Sequence, residues 1–449
     1  VVGDHYGLAF PADAAALYAG GPRFLTEAFL ASGAMRDNSV SRVTDFREVT
    51  GGSTGRKVTL SVEYAKPAPN LRTDLFVKFS RDFDDPARDR GKTQMEPEVR
   101  FAALARAPGF PIAVPEPQFA DYHRRSGTGI LITERIRFGD NGIETQYHKC
   151  LDYEMPRPVE HYRALLTALA RLAGTHRSGR LPAALTEHFP LDVAAATVGE
   201  RAPLSADKLE RRVDQLAEFA RTRPGLLPAC SPELLARLRD DVPRVARHEH
   251  TIAGLLAGDS DYVALCHWNA NIDNAWFWRD TGGILRCGLM DWGCVGQMNL
   301  GMAIWGAMSG AETGLWESHL DELLELFVAE FRRCGGPELD PTRLRRHTLL
   351  YAASMGAAWL LGVPALIGRR FEAIPDSREH PLIRDDESVR APLQMLSNLL
   401  FVWERHRVGV LLDDILADGG MMESAPPARC PDRPMRPDLS ADELGQPPS

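Results

Sequence analysis

The stretch from Leu265 to Gly293 (LCHWNANIDNAWFWRDTGGILRCGLMDWG) restricts most strongly what this chain can fold into. A short apolar run, Tyr262 to Cys266, delivers His267 into a polar loop that closes at Asn274. Ala275 to Trp278 then reads as a short strand, Arg279 to Gly283 as a turn containing Asp and Gly, and Ile284 to Met290 as a second strand running into Asp291. Two strands joined by so short a turn make a hairpin. The hairpin brings Asn274, just before its first strand, and Asp291, just after its second, to the same end. An amide oxygen and a carboxylate presented together suit a hard cation such as Mg2+, which takes one or two protein groups and completes its shell with substrate phosphates.

Upstream, the chain reads as strands with one helix between them. Val43 to Thr50 and Lys57 to Tyr64, the latter alternating Val58, Leu60 and Val62, flank the tip Gly51-Gly52-Ser53-Thr54-Gly55. Glycines at Gly52 and its neighbours let backbone N–H groups, Ser53 among them, approach an anion closely, although any hairpin turn favours the same residues. Leu75 to Phe79 places Lys78 among apolar neighbours, where a lysine needs an anionic partner or an exit to solvent. Met95 to Arg106 is helical, with Glu98 on the side of Phe101 and Ala102, whereas Pro97 puts Glu96 at the helix entrance. Gln118 to His123 and Gly129 to Glu134 supply two more strands. Before these, Pro11 to Met35 is a helix with its stop at Gly33.

The net charge of −9 excludes a general nucleic-acid binder, which needs a basic face. Seven cysteines without CxxC spacing indicate neither a disulfide framework nor a zinc module, and Cys266, His267, Cys287 and Cys294 match no zinc pattern. No basic-then-apolar leader opens the sequence, so a reducing, cytoplasmic location is expected. Leu349 to Gly368 has twenty residues without a charge, long enough to span a membrane, but its Ala and Gly content, Ser354 and Pro364 favour a helix buried in a protein core. No membrane association is therefore expected.

The rest of the chain is mainly helical: Val159 to Gly179, Ala206 to Thr222, Pro232 to Leu256, Met298 to Ser309, Leu315 to Cys334, Pro341 to Leu361 and Arg390 to Val408. A charged, proline-containing loop, Glu372 to Asp386, interrupts them. The final stretch, Ala417 to Ser449, has seven prolines and few large apolar residues and is expected to be disordered. At 449 residues the chain is expected to form two or three domains or lobes. The division read from the pattern is a helical extension at 1–42, a β-rich lobe at 43–138, a helical lobe at 139–416 and a tail at 417–449.

The ordered pair of motifs around the hairpin resembles the catalytic segment of the aminoglycoside phosphotransferase and choline kinase-like family, relatives of the protein kinases. That family writes the first loop as His-x-Asp-x-x-x-x-Asn and the second as Asp-Trp/Phe-Gly. Here His267 and Asn274 fill the outer positions, Asp291-Trp292-Gly293 fills the second motif, and Asn269 stands where the catalytic Asp is expected. The resemblance implies an α+β, bilobal, protein kinase-like fold with about five antiparallel strands and one key helix in its small lobe. ATP and Mg2+ would lie between the lobes, and the γ-phosphoryl group would pass to a hydroxyl of a small molecule. A protein acceptor is disfavoured because no Ala-Pro-Glu segment follows Asp291.

The roles implied are these: Lys78 holds the α/β-phosphates, Glu98 orients Lys78, and Glu134 to Ile136 is the hinge whose backbone holds the adenine. Asn274 and Asp291 bind Mg2+, His267 braces its loop, and Asn269 faces the acceptor hydroxyl. Asp273 is the nearest alternative acid. The rival reading is a nucleotide- or metabolite-binding pseudokinase that lost its base at Asn269. Neither the acceptor, the choice between ATP and GTP, nor the oligomeric state is written in any motif.

Overall fold

The computed structural model of the protein describes residues 1–49, 54–192, 204–228 and 230–419. Gly52, Ser53 and the stretch from Gly420 onward, expected to be disordered, lie outside them. The described chain is α+β and divides into two compact units. Of the described residues, those within 1–146, 171–190 and 274–296 form the first, and those within 147–170, 191–273 and 297–419 the second.

In the first unit, helix α1 (Ala14–Ser32) starts where the Asp13 carboxylate accepts from the Ala16 amide at 2.8 Å and stops at Gly33, which takes the left-handed φ of 72°. Five strands follow: β1 (Val40–Val49), β2 (Lys57–Tyr64), β3 (Asp74–Phe79), β4 (Pro117–His123) and β5 (Thr128–Glu134). They form one sheet in the order β1-β2-β3-β5-β4, antiparallel throughout. Period-two alternation divides its side chains between two faces. Val58, Leu60, Val62, Leu75, Val77, Phe79, Ile130 and Ile132 meet Leu17, Phe24, Leu25 and Phe29 of α1 in one core. The segment 1–42 is thus part of the sheet unit rather than a separate extension, because its apolar stripe covers the sheet. The opposite face packs Ala120, Tyr122 and Leu131 against Met95, Val99 and Ala102 of helix α2 (Met95–Ala105). The expected five strands and one key helix are therefore present.

The hairpin of β6 (Ala275–Arg279) and β7 (Leu285–Leu289) belongs to the same unit, with Ala275 opposite Leu289 and Arg279 opposite Leu285. A contiguous division at 138 does not capture this, since the hairpin returns to the sheet unit from far along the chain.

The second unit is mainly helical and departs from the sequence pattern in three places. The helix expected over Pro232 to Leu256 is two, Pro232–Arg247 and Glu249–Gly258, broken at His248. Met298 does not open a helix: Val295–Asn299 is a strand, and the Asn299 side chain caps the helix Leu300–Met308 by accepting from the Gly301 amide at 2.9 Å. A helix at Val408–Gly419 runs past the boundary drawn at 417. The uncharged run is helical over Pro341–Ala358, turns at Leu360–Gly362 and continues as Val363–Arg370. Its composition would pass as a membrane span, but 72% of the apolar window is buried inside the protein. Small residues let its neighbours close in: a Cβ on Gly356 would meet Leu399 at 2.4 Å.

Among the described residues of this unit Gly306 is the tightest such position, since a Cβ there would come within 1.7 Å of the Trp268 carbonyl oxygen. Gly306→Ala should destabilise the protein by about 1–3 kcal/mol, as overpacking does, and displace the backbone between His267 and Asn269. A thermal melt equal to wild type would show that the loop has room the structure lacks.

Candidate functional site

The alternation of β3 turns Lys78 away from the α1 core and onto the face covered by α2, where Leu131 is its neighbour across the sheet. Burial there disfavours a lone ammonium. Two carboxylates answer it: Lys78 Nζ donates to Glu98 Oε2 at 2.8 Å and to Asp291 Oδ1 at 2.6 Å. Burial alone would lower the Lys78 pKa, but Glu98 and Asp291 together hold it above its ordinary value, so the side chain is cationic throughout the physiological range. Glu98 lies on the inward face of α2, while Glu96 pairs with Arg100 and Arg124 instead.

Asp291 sits in the left-handed region at φ 60°, ψ 64°, a conformation that Asp and Asn tolerate better than other side chains. The turn it makes is fixed by its neighbour. The Trp292 ring stacks on Phe101 of α2, centroids 3.8 Å apart and planes 15° from parallel, and its Nε1 donates to the Leu289 carbonyl at 3.0 Å. The Trp292 backbone also hydrogen-bonds Glu98. One residue thus ties the end of the hairpin to the helix that presents Glu98.

Asn274 lies at the same hairpin end, its carbonyl accepting from the Met290 amide at 2.9 Å, and its side chain is buried. Among the described residues no three His, Cys, Asp or Glu side chains gather to hold a metal. An amide and one carboxylate, the latter 48% exposed, are the donor set of a hard cation that draws its remaining ligands from phosphate and water. That chemistry fits Mg2+ and does not fit zinc.

The residues of the His267 loop up to Asp273 belong to the second unit. His267 is fully buried, and its Nδ1 accepts the Asn269 amide at 3.2 Å, which braces the loop. Asn269 Oδ1 in turn accepts from Asn271 Nδ2 at 2.5 Å. Asn271 drew no notice in the sequence, where it is one of three asparagines in NANIDN. Asp273 is half-buried, and its charge acts on Cys150, Asp152 and Tyr162.

Asp152 is itself buried, accepting from Tyr162 Oη at 2.8 Å and the Glu312 amide at 3.2 Å through Oδ2, while Oδ1 has no hydrogen-bond partner among the described residues. Burial pushes its carboxyl up to about 7. Its value in an unfolded chain is about 3.9, so the folded protein holds this proton more tightly. The resulting stabilisation is complete below pH ~4 and is lost as pH rises through about 7. Asp152→Asn, which keeps an acceptor for Tyr162, should flatten the fall in melting temperature between pH 5 and 8. A slope unchanged by the substitution would place the titration elsewhere.

At the glycine-rich tip, Gly55 takes φ +53° and is packed so closely that a Cβ would come 1.8 Å from the Phe79 carbonyl oxygen. Glu134 ends β5 with its carboxylate on Arg72 at 3.0 Å and its amide donating to the Glu116 carbonyl at 2.9 Å. The Arg135 amide donates to the Asp74 carbonyl, and Ile136 follows, half-buried. A second lysine, Lys57, sits directly across the strand pair from Lys78. Its place at a strand end reads as ordinary surface charge, and only the register reveals it.

No family model matches the chain, and no curated protein matches it. Among solved structures it is similar to a Plasmodium vivax ethanolamine kinase, at 12% identity over 79% of this chain and 81% of that one, with a TM-score of 0.40. It is similar to a microcompartment-associated aminopropanol kinase at 15% identity over 86% and 99% of the two chains, TM-score 0.41. A third, an aminoglycoside 2′-phosphotransferase solved as its GDP complex, shares 13% identity over 85% and 94%, TM-score 0.38.

Proposed function

We propose that this protein is an ATP-dependent phosphotransferase that moves the γ-phosphoryl group to a hydroxyl of a small molecule. The observation that carries the proposal is the buried Lys78 held between Glu98 and Asp291, at 2.8 and 2.6 Å. A buried lysine with two carboxylates on it is costly to assemble, and its worth lies in presenting a fixed cation to phosphate oxygens. In this reading Lys78 holds the α/β-phosphates, Glu98 fixes the ammonium, and the Gly51–Gly55 tip covers the phosphates with backbone N–H groups. Glu134 to Ile136 holds the base through its backbone. Asn274 and Asp291 would hold Mg2+, which when bound neutralises charge on the transferring phosphate. His267 fixes the loop, and Asn269 positions the acceptor hydroxyl.

A second reading has one specific observation behind it. Asn269 cannot accept a proton as a carboxylate does, and its oxygen is already engaged by Asn271. A nucleotide-binding pseudokinase keeps everything above except transfer. Both readings require that Mg-ATP raise the melting temperature, by the equivalent of about 2.7 kcal/mol at a hundred times Kd. A thermal-shift series with ATP and GTP, with and without Mg2+, tests this, and no shift with any of them removes both readings. Turnover on a panel of alcohols separates the two.

A further inference from the structure

We propose that Lys57 is a second phosphate-holding cation of the nucleotide site, sharing the triphosphate with Lys78. The inference rests on the nucleotide reading above and adds to it a residue that the motifs do not supply. Lys57 and Lys78 are direct cross-strand partners in the β2–β3 register, so their side chains leave the same face of the sheet. Like charges placed directly opposite one another are destabilising, and an anion between them reverses the sign of that term. Lys57 Nζ reaches back to the Thr54 carbonyl at 3.2 Å, which sets the ammonium beside the start of β2.

A second cation has a purpose here. Lys78 is shared between the Glu98 and Asp291 carboxylates, at 2.8 and 2.6 Å, so part of its field is committed before a polyphosphate arrives. Lys57, directly across the strand pair, adds a positive charge at that spot. Burial, then Lys78 and Arg88, pull the Lys57 pKa down to about 8, against the opposing pull of Asp291 and Glu98. At neutral pH it remains cationic, and a phosphate group is the partner its surroundings favour. Arg88, from the short helix Pro86–Asp89, donates to the Gly55 carbonyl at 2.5 Å and pairs with Asp82, so its own charge is engaged while Lys57 faces the ligand.

Calorimetric titration of the full chain tests this with Mg-ATP, adenosine and inorganic tripolyphosphate, on wild type, Lys57→Met and Lys57→Arg, with melts to confirm folding. Lys57→Met should weaken Mg-ATP by about tenfold or more, the scale of one charged hydrogen bond, and leave adenosine within about twofold. Lys57→Arg should recover most of the loss. Unchanged Mg-ATP affinity, or an equal loss for Mg-ATP and adenosine, overturns the assignment, the second outcome being that of a merely structural residue. If Lys57→Met does not fold, Lys57→Gln takes its place with the same expectations. If wild type binds no nucleotide, the functional reading falls, and tripolyphosphate still decides on Lys57. Binding lost in Lys57→Met supports the anion site, whereas binding by neither protein or equally by both refutes it.

Discussion

Asp291→Asn should abolish the Mg2+-dependent part of ATP stabilisation and reduce phosphoryl transfer by more than about a hundredfold, since a bound cation contributes several kcal/mol of charge stabilisation. The substitution is chosen for what it preserves. Asn tolerates the left-handed φ of 60° at this position, and its volume matches Asp, so the turn into Trp292 remains. What disappears is one negative charge, 2.6 Å from Lys78. Asp291→Ala would remove the charge and also strain the backbone by about 1–2 kcal/mol, confusing chemistry with folding. Glu98 remains on Lys78 in either variant, so the lysine is not left buried without a counter-charge. A Mg2+-dependent shift as large in Asp291→Asn as in wild type would sink the assignment of Asp291 as a metal ligand.

Asn269→Asp should raise ATP hydrolysis or transfer by at least about tenfold, the low end of what a general base contributes. Phosphoryl transfer depends mainly on positioning and charge stabilisation, so a protein without the base is slowed rather than silenced. The local structure favours a clean test. Asn271 Nδ2 already donates to the Asn269 oxygen, and a carboxylate accepts that hydrogen bond at least as well. His267 Nδ1 binds the backbone amide of residue 269, which the substitution leaves alone. Should wild type be fast on some acceptor and Asn269→Asp slower, Asn269 is a selected positioning residue. Asp273→Asn in the same assay then tells whether Asp273 supplies the base. Loss of activity in Asp273→Asn with no effect of Asn269→Asp would move the chemistry to Asp273.

The parts of the fold that were legible in the sequence are those where one local period dominates. Lys57 to Tyr64 alternates because one sheet face meets α1, Leu75 to Phe79 is apolar apart from Lys78, and Glu98 was separable from Glu96 because Pro97 marks the helix entrance. The hairpin was legible from its turn. Its membership of the sheet unit was not, because that depends on Trp292 finding Phe101, a contact between residues far apart in sequence. The break at His248 carries no Gly or Pro to announce it. Asn299, by contrast, did carry a signal: an Asn immediately before an apolar run is a helix cap, and reading Met298 as helical overlooked it. Lys57 and Asn271 escaped for one reason. Each acquires meaning from a partner, Lys78 or Asn269, and partnership follows from register and loop conformation rather than residue type.

The Trp292 stack carries an optical consequence. An indole only 4% exposed, lying flat on a phenyl ring with its N–H committed to a carbonyl, emits from a fixed and dry environment. It is covalently next to Asp291 and packed on the helix that carries Glu98, so movement of either changes its surroundings. The difference in fluorescence between wild type and Trp292→Phe isolates its signal from the other tryptophans. That difference spectrum is an intrinsic, label-free readout of whether the Asp291 turn and the Glu98 helix move together when nucleotide arrives.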